Sequence, residues 1–309
     1  MRNTVRGGLA LAAVVALVGP LVPAAAAAAA AAGRAPAVHA ASLSTLTAGR
    51  VREIPGTVNA RDVGGYRTYD GETTRWSVVY RSDSLAKLPP EGVTALGGLG
   101  LSAVIDLRTP AEVQADGADK LPAGVTAVAL PVDDTSLFAF IGSVVLSKDP
   151  AHQQAQLGDG KAEERMRALY RGFVTNSANR AALGAAVKRV ANSAGPVLFH
   201  CSAGKDRTGV LADTILRAVG VPSATAEGDY LLSNELRADA DKALRDQVKA
   251  AGYMQNPDLL IPLQEVRSSY LAAFRDQATA SYGSFGKFLT DGLGLDFATL
   301  YRLRERLVT

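Results

Sequence analysis

Cys201 and Arg207 stand six positions apart in the run His-Cys-Ser-Ala-Gly-Lys-Asp-Arg-Thr-Gly, residues 200–209. A cysteine becomes a nucleophile when positive charge pulls its pKa below the ~8.5 of a free thiol. An arginine fork at that spacing can reach two oxygens of a tetrahedral oxyanion if the chain between them curls. A bare Cys-x5-Arg is common, so the elements on either side decide whether this one can curl. Before it, Val197, Leu198 and Phe199 form a short apolar run with Pro196 at its first position, as a buried strand would. After it, Val210, Leu211, Ile215, Leu216 and Val219 recur at the spacing of one helix face. Residues 201–208 are therefore a loop joining a strand to a helix N-terminus. First-turn amides lack intrahelical partners and carry the positive end of the helix dipole. The backbone of Ser202, Ala203, Gly204, Lys205, Asp206, Arg207 and Thr208 can thus encircle a phosphate-like anion. Gly204 and Gly209 permit close backbone approach. Thr208 offers a hydroxyl either to the thiolate or to the helix end.

The rest of the composition narrows the setting. The chain has 309 residues, a formal charge of +3 and one cysteine. Arg2 and Arg6, the apolar stretch Leu9–Val22 and the alanine tract after it read as a secretory signal over residues 1–41. The expected location is extracytoplasmic, with membrane contact only if that segment stays uncleaved or the substrate is a lipid. A lone cysteine in an exported chain cannot form an internal disulfide and marks a free thiol. Three histidines without a Cys/His cluster give no zinc ligand set. No basic tract points to nucleic acid. The remainder, 42–309, is expected to be one catalytic domain.

The string His200–Gly209 resembles the phosphate loop of the cysteine-dependent phosphatases, in particular the bacterial branch whose loop carries Gly-Lys-Asp-Arg-Thr-Gly. Shorter similarities run from Arg52 to Leu307. They include Asn59-Ala60-Arg61-Asp62-Val63-Gly64-Gly65, where Ala60 replaces the usual Phe, then Tyr80-Arg81-Ser82, and Asp229-Tyr230-Leu231-Leu232-Ser233-Asn234. The resemblance implies an α/β cysteine-phosphatase fold: a central, mainly parallel sheet flanked by helices, with a helical insertion at 236–280 near the active site. It implies a phosphocysteine intermediate and no cofactor or metal. It also implies a general acid on a loop after a strand that precedes the nucleophile's unit. Asp134 occupies that place, with Asp133 second and Asp206, inside the loop, as the other candidate. Turn formation is the plain alternative for Asp133 and Asp134.

Local patterning supplies further expectations. Residues 51–59 alternate as a strand would, and Trp76–Tyr80, Leu101–Leu107 and Val125–Val132 read as strands. Helices are expected over Pro90–Leu99, from Pro110, over Lys161–Val174 and Asn179–Ala191, and from Pro222 to a break at Ser233-Asn234. Residues 135–160 show no clear pattern, though Phe138, Phe140 and Ile141 suit a pocket rim. Arg61 and Asp62 either brace the loop or cap a turn. Asp106 and Arg108, at a strand's carboxyl end, are placed to orient the loop or simply to pair with each other. Expected substrates are phosphotyrosine or phosphoserine/threonine proteins, with phosphoinositides added because Lys205 can meet a further phosphate; pairing with Asp206 is its plain alternative. A rhodanese-like sulfurtransferase and a silent phosphate-binding module are the rival functions. A helical cover would also shield an exported thiolate from oxidants.

Overall fold

In the computed structural model, which describes residues 49–309, five strands make one sheet in the order β1-β2-β5-β3-β4. β1 (Arg61–Asp62) runs antiparallel to β2 (Val79–Ser82). β2, β5 (Val197–His200), β3 (Ala103–Asp106) and β4 (Thr126–Ala129) are parallel. Alternation along the strands divides their side chains between two cores, as period-two geometry requires. Val79, Ala103, Ile105, Val197 and Phe199 enter the larger core, while Tyr80, Val104 and Leu198 enter the smaller. Both faces of the inner strands are covered, which explains runs that are apolar throughout. In register, Ser82 and Asp106 both lie opposite His200, so three strands end at the same level. That shared end is where the loop 201–206 begins.

The helices, in chain order, are α1 (Pro90–Gly97), α2 (Pro110–Asp116), α3 (Leu137–Leu146), α4 (Pro150–Leu157), α5 (Lys161–Thr175) and α6 (Ser177–Asn192). They continue with α7 (Arg207–Ala218), α8 (Ser223–Ala250), α9 (Ser268–Tyr282) and α10 (Phe297–Leu307). α5 is amphipathic: Ala162, Met166, Leu169, Tyr170 and Phe173 are buried at helical spacing. α7 is not. Every residue from Arg207 to Leu216 is buried, and Asp213 within it is held by Arg275 at 2.6 Å. No helix among the described residues is long and apolar enough to cross a membrane. The leader read over 1–41 lies outside the described residues.

Several local expectations are corrected by tertiary bonds. The strand expected at Trp76–Tyr80 starts instead at Val79, because Ser77 has φ of 62° and gives its amide to Asp62 Oδ2 at 2.9 Å. Residues 51–59 form a bridge at Val51 and a turn closed by Thr57 on Ile54, not a strand. The stretch 135–160 is helical, as α3 and α4. Most telling, α8 runs unbroken through Ser233-Asn234 for 28 residues. Such polar residues disturb a helix when their side chains turn back on their own backbone. Here Ser233 Oγ instead lies 3.1 Å from Arg61 and 3.3 Å from Asn59, and Asn234 bonds both amide and carbonyl of Val266.

Residues 236–280 divide in two. The second half of α8 and the short turns Pro257–Leu260 and Ile261–Gln264 lie beside the loop, whereas α9 buries Tyr270, Leu271 and Phe274 in the core. The hub beneath the loop is Asp229 of α8. It is fully buried and accepts from Arg61 Nε at 3.0 Å, Arg81 at 2.6 Å and Tyr66 Oη at 2.9 Å. Two guanidiniums and a phenol hold its carboxyl far below the usual range despite burial. Asp229→Ala would strand two buried cations and is expected to lower stability by about 3–5 kcal/mol in urea unfolding. A loss below about 1 kcal/mol would mean that Arg61 and Arg81 find other partners or water, leaving Asp229 no role as hub.

Candidate active site

Four anchors fix the loop from outside. Ser84 donates its amide to Ser202 O at 3.0 Å, and Asn59 Nδ2 donates to Ala203 O at 3.2 Å and Gly204 O at 3.0 Å. Arg81 reaches Gly204 O at 2.9 Å, and Arg237 reaches Ala203 O at 3.2 Å. A trans peptide points its carbonyl and amide in opposite directions. Holding three successive carbonyls outward therefore turns the amides of Ala203, Gly204 and Lys205 to the side of the loop away from these anchors. Gly204 is required here: φ is +67°, and a Cβ would lie 2.4 Å from Ser82 O.

Arg207, at the first turn of α7, is gripped by a residue to which the sequence gave no role. Glu112 of α2 receives both terminal nitrogens, at 2.6 and 2.5 Å. Its Oε1 also accepts from Ser202 Oγ at 2.6 Å, and its Oε2 from the Thr109 amide at 2.8 Å. Burial alone would raise this carboxyl; Arg207 and these donors outweigh it and bring its pKa down to about 2. The same pairing holds Arg207 well above its ordinary value against its own burial. The available signal was the capping box Thr109-x-x-Glu112, ordinarily a local helix-start device.

Cys201 is 2% exposed. Burial pushes the thiol up, but the charge of Arg207 and the nearby hydroxyl and amide of Thr208 bring it net below 9.0. The buried Thr208 hydroxyl has no hydrogen-bond partner among the described residues. Of its two expected uses, the helix cap is not made, since the cap position of α7 is Asp206 and carries no side-chain cap bond. Preceding Cys201, His200 links Nε2 to Asp119 Oδ2 at 2.8 Å and Nδ1 to Cys201 O at 3.1 Å. Burial would lower its pKa, and Asp119 more than reverses this. Asp106, Asp119 and His200 come together here, and Arg108 supplies the positive charge among them, 2.8 Å from Asp106 and 2.7 Å from Asp119. Asp106 and Arg108 thus act on the loop through Asp119 and His200, beyond simply pairing. Of the other sequence pair, Arg61 braces the loop through Asp229 and Asn59. Asp62 instead caps the turn at Gly64 and Ser77.

The acid candidates separate. Asp134 lines the same ≈ 90 Å³ cleft as Cys201 and Arg207, with Leu137, Phe138 and Phe173 as apolar walls. Its Oδ2 accepts the Phe138 amide at 2.8 Å, and burial raises its pKa above 3.8. Asp133 faces outward; its Oδ1 accepts the Thr135 amide at 3.1 Å, a turn-forming role. Asp206 also borders the cleft, but Tyr170 Oη donates to one of its oxygens at 2.8 Å and Lys205 Nζ to the other at 2.7 Å. Ile141 lines the cleft as well, whereas Phe140 lies beneath Arg165 at 3.5 Å.

Comparison with known proteins agrees with this geometry. A model of the tyrosine phosphatase family matches residues 52–309. The triple specificity protein phosphatase PtpB of Mycobacterium tuberculosis is 32% identical over 279 residues, covering 84% of this chain and 99% of that protein. A relative from Cupriavidus necator is 33% identical over 245 residues, 78% of this chain and 84% of its own. A tyrosine-protein phosphatase of Nostoc commune is 54% identical over a 39-residue stretch, 13% of each.

The lowered pKa of Glu112 makes a pH prediction. Its contribution is complete above about pH 4.5 and is lost as pH falls toward about 2. Glu112→Gln is expected to be less stable than wild type by on the order of 3 kcal/mol near neutrality, the gap closing between those limits. Unfolding curves across that range check it. A gap unchanged by pH would contradict the charged pairing.

Proposed function

The chain belongs to the tyrosine phosphatase family and is a phosphomonoester hydrolase, and we propose that it works by two in-line displacements through Cys201. In the first, the thiolate sulfur bonds to phosphorus while the ester P–O bond breaks. Arg207 and the amides of Ala203, Gly204 and Lys205 take the charge on the non-bridging oxygens. Asp134 gives its proton to the leaving oxygen. In the second, Asp134 takes a proton from water as the oxygen attacks phosphorus, the S–P bond breaks, and inorganic phosphate leaves with the thiolate restored. The carrying observation is the joint placement of Cys201, Arg207 and Asp134 around one apolar-walled cleft.

Asp134 is assigned the proton because its pKa is raised and one of its oxygens accepts only the Phe138 amide. Asp206 is assigned to hold Lys205 and Tyr170. Phosphotyrosine is the favoured substrate, because Phe138, Phe173 and Leu169 give the ring apolar walls above the phosphate. The relative PtpB carries triple specificity in its name, which supports a site tolerant of phosphoserine/threonine as well. Phosphoinositides are the second reading, favoured only by Lys205 at the cleft edge. Export through residues 1–41 belongs to this proposal too, resting on Arg2, Arg6, the apolar core and the alanine tract.

The test compares Cys201→Ser, Asp134→Asn and Asp206→Asn on phosphotyrosine peptide and p-nitrophenyl phosphate, with chelator present. Cys201→Ser is expected to abolish turnover. Asp134→Asn should lose about 10²–10⁴ in kcat on the peptide and much less on p-nitrophenyl phosphate, whose phenolate leaves unprotonated. The kcat/KM profile should rise with pH as Cys201 ionises and fall as Asp134 loses its proton, the falling limb vanishing in Asp134→Asn. Turnover by Cys201→Ser, or a larger loss in Asp206→Asn than in Asp134→Asn, would overturn the assignment.

A further inference from the structure

Beside the catalytic cleft lies a second cavity of ≈ 60 Å³, which shares four wall residues with it: Ile141, Ala203, Lys205 and Leu263. Its remaining walls include Val145 of α3, Leu244 and Val248 of α8, and Leu260 of the turn that follows. The charged groups at its edge are already paired. Lys205 is held by Asp206 at 2.7 Å, and Arg237 by Asp241 at 2.6 Å. Arg237 also donates to the Ala203 carbonyl at 3.2 Å. Because these charges cancel in pairs, a second phosphate would gain little here, while an apolar group would leave water for aliphatic walls.

We propose that this cavity is a leaving-group subsite, taking the unbranched alkyl chain of a phosphomonoester whose phosphate sits at Cys201. The inference rests on the hydrolase assignment above and adds a substrate class to it. The two spaces share Ile141, Ala203, Lys205 and Leu263 as walls, and in this proposal a flexible chain bonded to the phosphate turns from the cleft past Ile141 and Leu263 into the cavity. A phenyl ring has no internal torsions with which to make that turn. Aryl and alkyl esters therefore use different walls of one site. Chemistry at phosphorus is the same for both: the P–O bond breaks, and Asp134 protonates the departing alkoxide.

The experiment measures kcat/KM for n-alkyl phosphates from ethyl to octyl, with p-nitrophenyl phosphate as control. In wild type, kcat/KM is expected to climb by about three- to fourfold per methylene and then level off when the cavity is full. Leu244→Trp and Val248→Phe fill the cavity from separate positions and should each bring the octyl-to-ethyl ratio close to one. A flat wild-type series with p-nitrophenyl phosphate still turned over overturns the subsite alone. Loss of both activities in a folded wild-type protein overturns the hydrolase assignment with it. A steep series that survives in whichever filling variants fold places the chain elsewhere and also overturns the proposal. So does a flat alkyl series accompanied by a gain from leucine beside phosphotyrosine in peptides, which would give the cavity to a peptide side chain.

Discussion

A thiolate with 2% exposure survives only if the protein supplies the stabilisation that water would have given. The charge of Arg207 is the largest contribution, and Glu112 makes Arg207 available by fixing its fork in one plane. The pair has a second consequence. Glu112 takes Ser202 Oγ and the Thr109 amide as well, so the start of α2, the loop and the start of α7 become one unit. Neutralising a guanidinium beside an anion site looks counterproductive. Yet an arginine free to swing would lose entropy on each binding event, and one already held loses little.

Beneath this unit lies a layer of buried charge. Asp229 binds Arg61 and Arg81; Arg81 binds Gly204 O; and Arg61 binds Asn59, which binds Ala203 and Gly204 O. Buried pairs of this kind add little net stability compared with apolar packing, since desolvation offsets attraction. Their effect here is orientation. Carbonyls that accept strong donors from outside cannot rotate inward, and the amides stay aimed at the place where charge develops. The helix that carries Asp229 also carries Arg237, Leu244 and Val248, so one element both orients the loop and forms the wall beside it.

Much of this was legible in sequence where local pattern and tertiary role coincide. The apolar run before Cys201, the loop string and the helix after it all depend on neighbours close in the chain. The mainly parallel sheet followed from the same runs, though Leu101–Leu107 and Val125–Val132 pair over only four residues each. Legibility failed where a polar side chain serves a distant partner. Ser233 and Asn234 look like a helix break until Arg61, Asn59 and Val266 are in place. Glu112 looks like a helix cap because it is one, and its bond to Arg207 spans 95 positions. Ser77 sits in a β-like run, but an Asp62 carboxylate fifteen residues earlier draws its amide into a turn. Choosing among Asp133, Asp134 and Asp206 needed their surroundings, because three identical carboxylates differ only in what donates to them.

The central claim is that phosphate passes through a covalent bond to Cys201 and that Asp134 serves both halves of the cycle. Rapid-quench mass spectrometry of Asp134→Asn reacting with p-nitrophenyl phosphate tests it most directly. The leaving group needs no proton but the hydrolytic water needs a base, so a burst of nitrophenolate is expected with phosphate accumulating on Cys201. Absence of a burst in a variant that still turns over, or phosphate found on any other residue, would contradict the account.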